Sequence, residues 1–211
     1  PAECAFWWPR FERVARWFVR TQIERQSEGI RLGLTEASGE MTLKGPAGAF
    51  LVTAKADRID VLQDGTLEII DYKTGTRPST NEVAAGYAPQ LPLEALIARA
   101  RPGFTRDGRA LVGRASRLSY WRLRGIEEGG AIEDVLAADP VVKAMAQHLR
   151  GKEDTTTTLL RLTEATLLER IRRYDREATP YLSRPRPDFA GFGEYDHLAR
   201  VQEWASIHGE D

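Results

Sequence analysis

Apolar residues recur along this chain with two different periods. Over residues 6–26 they fall at helical spacing: Trp7, Phe11, Val14 and Phe18 make one apolar face, and Arg13, Arg16 and Arg20 gather on another. From residue 31 the period shortens to two. Residues 31–43 read as a strand, irregular at Ser38-Gly39, and Pro46-Ala47-Gly48 turns the chain. Phe50, Val52 and Ala54 then alternate into a second strand that carries Asp57, and a third strand ends in Asp71-Tyr72-Lys73. Past a loop over residues 75–80, Ser79 or Thr80 can cap a short helix over 81–85 with Glu82 in its first turn. Gly86 ends it, and Gln90 opens a second helix over 91–100. The Arg- and Gly-rich stretch 103–116 reads as loop and residues 117–124 as a further strand. Beyond it the pattern predicts helices over 131–138, 140–149 (with Pro140 in the first turn), 159–177 and 196–207, and an extended Pro-containing stretch over 179–189. A threonine run, Thr155 to Thr158, reads as entry to the third of these.

The pattern sums to an α/β protein: a small mixed sheet with a central antiparallel hairpin, flanked by helices, and a C-terminal helical extension. No repeat and no linker divides it. A single domain over 1–211 is expected, with a core over about 6–125 and the extension over about 126–211.

The hairpin between Asp57 and Lys73 concentrates the candidate chemistry. Side chains alternate along a strand, so Asp71 and Lys73 share a face and Tyr72 points away. The turn decides whether Asp57 joins them. A two-residue Asp64-Gly65 turn puts Asp57 on the opposite face; a three-residue loop, Gln63-Asp64-Gly65 with Gly65 left-handed, sets it across from Asp71. The second register is expected, with Val61, Leu67 and Ile69 turned to the face opposite the two aspartates. Asp60 alternates away from Asp57 and is assigned a structural, salt-bridging role.

Two carboxylates and a lysine at neighbouring strand ends suit metal-assisted phosphodiester cleavage. A hard cation such as Mg²⁺ or Mn²⁺ takes oxygen ligands and keeps several waters. Asp57 and Asp71 supply two such ligands, with the backbone carbonyl of Tyr72 as a third. Lys73 then lies near the bound water and the developing negative charge. Read by itself, D-x-K is short and common, and an exposed Asp–Lys pair on an amphipathic hairpin is the plainer reading.

Composition narrows the picture without changing it. Lys plus Arg is 30 against Asp plus Glu at 31, so the chain as a whole does not attract DNA, although a groove can be basic inside a neutral protein. The single cysteine, Cys4, allows neither an intrachain disulfide nor a cysteine-based metal site, and points to a reducing, cytoplasmic setting. No apolar run reaches the roughly 18 residues of a membrane span, and no secretory signal opens the chain. Opening on Pro1 instead of methionine, it is read as a fragment of a longer protein. Neither a G-x-S-x-G elbow nor a G-x-x-x-x-G-K-[ST] loop occurs, and His148, His197 and His208 all fall outside the hairpin.

The run A-K-A-D-R-I-D (54–60), then I-I-D-Y-K-T-G (69–75), then Gln90 at a helix start, resembles the PD-(D/E)xK nucleases of the RecB/AddB type, whose fold is restriction-endonuclease-like. It is most similar to the C-terminal nuclease domains of alphaproteobacterial AddB subunits, and the ending Tyr195-Asp196-His197-Leu198-Ala199-Arg200 with Glu203-Trp204 resembles theirs too. The resemblance implies a Mg²⁺-dependent deoxyribonuclease of exonuclease type, with Asp57, Asp71, Lys73 and Gln90 as catalytic residues. It also implies a single DNA strand from an unwound duplex as substrate, an AddA-type helicase–nuclease subunit as partner, and a role in double-strand-break repair. Relatives add an acidic or histidine ligand from a helix before the sheet; Glu24 is the candidate here, with Glu36 and Glu40 as rivals. They also carry a tyrosine four residues after the glutamine, where this chain has Glu94; Tyr87 is the candidate substitute. Some relatives hold an iron–sulfur cluster through four cysteines, which is not expected here. Two other readings stand beside this one: a catalytically inactive DNA-binding or scaffold module, and a stand-alone nuclease of restriction type.

Overall fold

A computed structural model describes residues 2–136 and 154–181. The helices expected over 140–149 and 196–207, the AddB-like ending, the three histidines and most of the stretch 179–189 lie outside the described residues.

Helix α1 (Ala2–Ser27) leads into seven strands: β1 (Arg31–Gly45), β2 (Gly48–Val61), β3 (Leu67–Lys73), β4 (Gly103–Arg106), β5 (Arg109–Leu111), β6 (Ala115–Leu123) and β7 (Gly130–Asp134). Helices α2 (Thr80–Ala84) and α3 (Gln90–Arg99) lie between β3 and β4, and α4 (Thr155–Tyr174) follows β7. The strands form one sheet in the order β5-β4-β1-β2-β3-β6-β7. All neighbours are antiparallel except β3 and β6, which run parallel because the chain crosses over through α3 between them. This is the expected mixed α/β sheet with a central hairpin, flanked by helices, and it is consistent with a restriction-endonuclease-like fold.

The hairpin takes the three-residue loop. Asp60 pairs with Glu68 and Ile59 with Ile69, Gly65 sits at φ +80°, and Leu62 N–H donates to Thr66 O across the loop mouth (2.8 Å). One expectation fails. Leu67 and Ile69 lie on the same face as Asp71, as strict alternation within β3 requires, and with Ile59 and Val61 they pack into the α3-side core. That face is apolar along the strands and turns polar only at the C-terminal end of β3.

The two faces of the sheet are built differently. On one, α3 and α4 bury Leu91, Ala95, Ile97, Leu159 and Leu160 against Ile59, Leu67, Ile69, Leu118 and Phe104. On the other, α1 covers Ile70 and Trp121 with Trp17 and Phe18, the Trp17 and Trp121 rings meeting edge-on at 5.7 Å. The stripe α1 buries is Trp17, Thr21 and Arg25, one turn apart each, while Trp7 and Phe11 are exposed. Charge pairing draws this polar stripe inward: Arg25 reaches Asp60 (2.9 Å) and Glu68 (2.6 Å), Arg58 reaches Asp60 (2.7 Å), and Ser119 Oγ donates to Glu68 (2.6 Å). Buried carboxylates persist only when paired in this way. Asp60 thus has the structural role expected of it.

Two further expectations are corrected. The stretch 103–116 is not loop, because Asp107-Gly108, both at positive φ (50° and 76°), turns β4 into β5. The stretch 131–138 is not helical where described: β7 pairs Ile132 with Trp121 on β6, and Gly130 admits the Trp17 ring where a Cβ would meet it at 2.6 Å. Nor is β1 irregular at Ser38-Gly39; its register shift falls between Leu32 and Leu34. Gly39 pairs with Phe104, whose ring would meet a Cβ at 2.6 Å.

Candidate active site at the splayed end of the hairpin

The β2–β3 ladder stops at Arg58–Ile70, one pair short of Asp57 and Asp71. Alternation slips at the same point on both sides of β2. Val52, Ala54 and Ala56 belong to the α3-side core and so do Ile59 and Val61, an interruption matched on β1 by Leu34 and Ala37 flanking Glu36. Glu36 sits there at φ +48°, a conformation that costs a non-glycine residue on the order of 1 kcal/mol. The strands therefore part where the acidic residues are, and the Asp57 side chain spans the gap: its Oδ2 accepts the Tyr72 N–H (3.0 Å).

The site grows from that opening. Asp71, 3% exposed, accepts from the Gln90 amide nitrogen at Oδ1 (2.8 Å) and pairs at Oδ2 with Lys73 Nζ (2.7 Å). Lys73 also lies over the Tyr120 ring, 5.9 Å from its centroid. Burial, followed by the charge of Asp71, pushes the Tyr120 hydroxyl up to about 12, so the ring stays neutral. Gln90 is the first residue of α3, and the same amide nitrogen donates to Glu94 Oε1 one turn on (3.2 Å). Tyr72 contributes its backbone here while its ring turns to the α1 side, 5.9 Å from Trp121.

Asp57, Asp71, Lys73 and Gln90 thus come together, joined through the Tyr72 backbone. Glu24 does not join them. It is exposed on α1, which covers the opposite face of the sheet, so this side chain is separated from Asp71 by the sheet itself. Glu36 is exposed and paired with Lys55, and Glu40 is exposed as well. Tyr87 lines a cleft facing α4.

Glu94 is the residue the sequence reading passed over. It is 2% exposed, and its Oε2 has no hydrogen-bond partner among the described residues. Burial, partly offset by the Gln90 hydrogen bond and reinforced by the charges of Asp71 and Asp57, pushes its carboxyl up to about 8. The signal was present: Glu94 is the lone acid in the apolar run Leu91-Pro92-Leu93-Glu94-Ala95-Leu96-Ile97, one turn after Gln90.

The donor set fits a hard cation. Asp57 and Asp71 offer carboxylate oxygens from strand ends that part, the ligand type that Mg²⁺ takes alongside retained waters. Among the described residues no group of three or more His, Cys, Asp or Glu side chains forms a metal cluster, so protein carboxylates supply only part of such a shell.

The match of this chain to known families covers the same elements. Residues 5–184 match the PD-(D/E)XK nuclease superfamily. The chain belongs to that superfamily. PD-(D/E)XK members are generally metal-dependent nucleases, which makes a nuclease-type function the frame for Asp57, Asp71 and Lys73. Over 91 residues, 43% of its length, the chain is also 30% identical to an uncharacterized protein of Rickettsia bellii (strain RML369-C). Uncharacterized proteins of Rickettsia conorii (31%) and Rickettsia typhi (32%) match over the same length. The matched segment is 11% of the first of these proteins, so the chain spans about a tenth of the length of the curated relatives it matches. No helix among the described residues is long and apolar enough to cross a membrane.

Proposed function

We propose that this PD-(D/E)XK domain is the nuclease of a RecB/AddB-type helicase–nuclease. It hydrolyses phosphodiester bonds in a single DNA strand delivered from an unwound duplex, during double-strand-break end processing in the cytoplasm. The observation that carries the reading is the convergence of Asp57, Asp71, Lys73 and Gln90 where the hairpin strands part. The D-R-I-D and D-Y-K-T-G runs, followed by a helix-opening glutamine, favour the RecB/AddB branch, and an AddA-type motor is the partner that would deliver the strand.

Asp57 and Asp71, with the Tyr72 carbonyl, would hold Mg²⁺ or Mn²⁺, which when bound polarises the scissile phosphate and lowers the pKa of a coordinated water. The Lys73 ammonium, 2.7 Å from Asp71 Oδ2, offsets charge developing on the phosphate oxygens. Gln90 holds Asp71 Oδ1 with its amide nitrogen, so the carboxylate keeps one orientation. A second reading, a non-cleaving DNA-binding or scaffold module, draws on the lack of a third converging ligand among the described residues.

The test is cleavage of an end-labelled single-stranded oligonucleotide with Mg²⁺, Mn²⁺ or chelator, wild type against Asp71→Ala. Cleavage that needs the metal and disappears in a folded Asp71→Ala protein is expected. Undiminished cleavage in Asp71→Ala refutes the site, and a wild-type chain that binds Mn²⁺ without cutting favours the scaffold reading.

A further inference from the structure

Helix α4 packs on α3 through Leu159 and Leu160; its C-terminal half buries Ile171 and leaves Glu169, Arg170 and Arg173 exposed. Between that half and the turn preceding α3 lies a cleft of about 310 Å³, lined among others by Tyr87, Pro89, Glu169, Arg170, Arg173 and Tyr174. Pro89 immediately precedes Gln90, whose side chain reaches Asp71. One residue of the cleft lining is therefore the chain neighbour of a candidate active-site residue.

Its chemistry is of two kinds. Arg170 and Arg173 lie one turn apart on the exposed side of α4, and neither guanidinium is tied into an ion pair among the described residues. Among the described residues Glu169 is the one acid in the lining. This is local positive charge in a chain whose formal net charge is −1. The second kind is aromatic. Tyr174 stacks on Tyr181 with centroids 5.1 Å apart and planes 15° from parallel, and Arg173 lies over the Tyr174 ring at 5.4 Å. Tyr181 is 82% exposed, so this flat pair leaves one ring face to solvent with no core to fill. Unpaired cations within reach of an open aromatic face are what an unpaired nucleic-acid strand uses, phosphates on the former and a base on the latter. In a duplex the base faces are already stacked, and an acidic peptide would engage the arginines without the rings.

We infer that the α3–α4 cleft holds an unpaired nucleic-acid strand, with phosphates on Arg170 and Arg173 and a base on the Tyr174–Tyr181 pair, and leads it toward Gln90 and Asp71. The direction of that path rests on the nuclease reading above; the binding itself does not. The experiment is fluorescence anisotropy of a labelled oligothymidylate with the whole chain in chelator, across a salt series. It compares wild type with the Arg170→Ala/Arg173→Ala double variant and with Tyr181→Ala, and a separate calorimetric Mn²⁺ titration of each reports on the hairpin.

The double variant is expected to weaken binding at least tenfold and to flatten the salt dependence by about 1.4 in log–log slope, near 0.7 for each lost single-strand phosphate contact. Tyr181→Ala is expected to weaken binding roughly fivefold or more, and all three proteins to bind Mn²⁺ alike. Unchanged affinity and slope in the double variant overturn the inference, as does a wild-type chain that does not bind the oligonucleotide. Loss in the double variant without loss in Tyr181→Ala overturns it in favour of a site for acidic groups generally. If no protein binds Mn²⁺ while strand binding still follows the α4 substitutions, the cleft stands and the nuclease reading falls.

Discussion

Glu94→Gln is the substitution with the most readable consequence. In the folded chain the Glu94 carboxyl is pushed up to about 8 from an ordinary 4.5, chiefly by burial. The unfolded chain ionises this group near 4.5 and the folded chain near 8, so between those values the folded state holds the extra proton. Stability then falls as pH rises, by about 1.4 kcal/mol per unit. Below the window both states are protonated and nothing is lost; above it the loss levels off. Across the whole window it amounts to about 4–5 kcal/mol, a large part of the stability of an ordinary domain.

A glutamine of the same shape still accepts from Gln90 through its carbonyl and has no charge to bury. Urea unfolding followed by tryptophan fluorescence, at pH 5, 6, 7 and 8 in chelator, measures this directly. Other titrating groups contribute equally to both proteins and cancel in the difference. The Glu94→Gln protein is expected to gain about 4 kcal/mol relative to wild type between pH 5 and 8, with most of the change above pH 6. Parallel stability curves over that range would refute the reasoning, because they would mean that Glu94 ionises freely and is not held in a dry site beside Asp71.

The other expectations are shorter. Lys73→Met should abolish cleavage while leaving Mn²⁺ affinity within a few-fold of wild type, since the ammonium acts on charge and not as a ligand; calorimetry alongside the cleavage assay separates the two. Asp60→Asn removes one partner of the pairs with Arg25 and Arg58, and leaving a buried charge uncompensated should cost about 3–5 kcal/mol in urea unfolding.

The sequence was most informative where chain geometry is local. Gln63-Asp64-Gly65 narrowed the hairpin to two registers, of which the expected three-residue loop forms, and of the two candidate caps for α2 it is Ser79 whose Oγ accepts from Glu82 N–H (3.2 Å). It was least informative where a distant partner reverses local preference. Apolar periodicity chose Trp7 and Phe11 as the inner face of α1, but Asp60 and Glu68, far along the chain, draw Arg25 inward and rotate the buried stripe to Trp17 and Thr21. The strand β7 depends on Trp17 closing over Gly130, which no window around residue 130 contains. The hairpin turn at Asp107-Gly108 was readable but was obscured by arginines on both sides. Glu94 stands where relatives carry a tyrosine, and what makes it special is the burial of the helix face it occupies.

The charge balance of the two faces explains why one is structural and the other reactive. On the α1 side the buried carboxylates of Asp60 and Glu68 are met by two buried guanidiniums, Arg25 and Arg58, with Arg117 3.6 Å from Glu68. Nothing there calls for another cation. On the α3 side Asp57, Asp71 and Glu94 share a space in which Lys73 is the one basic side chain ion-paired to any of them among the described residues. The chain tolerates that imbalance by raising the proton affinity of Glu94 and by spending backbone and amide N–H groups on Asp57 and Asp71. A divalent cation is the simplest addition that would restore neutrality, and the parted strands leave Asp57 and Asp71 facing a gap instead of each other's ladder bonds. If that is the physical reason for the opening, Mn²⁺ should raise the thermal midpoint of the wild-type chain and leave that of Asp71→Ala unmoved. A Mn²⁺ shift of equal size in both would place the stabilising ion elsewhere and leave the imbalance to be explained by Glu94 alone.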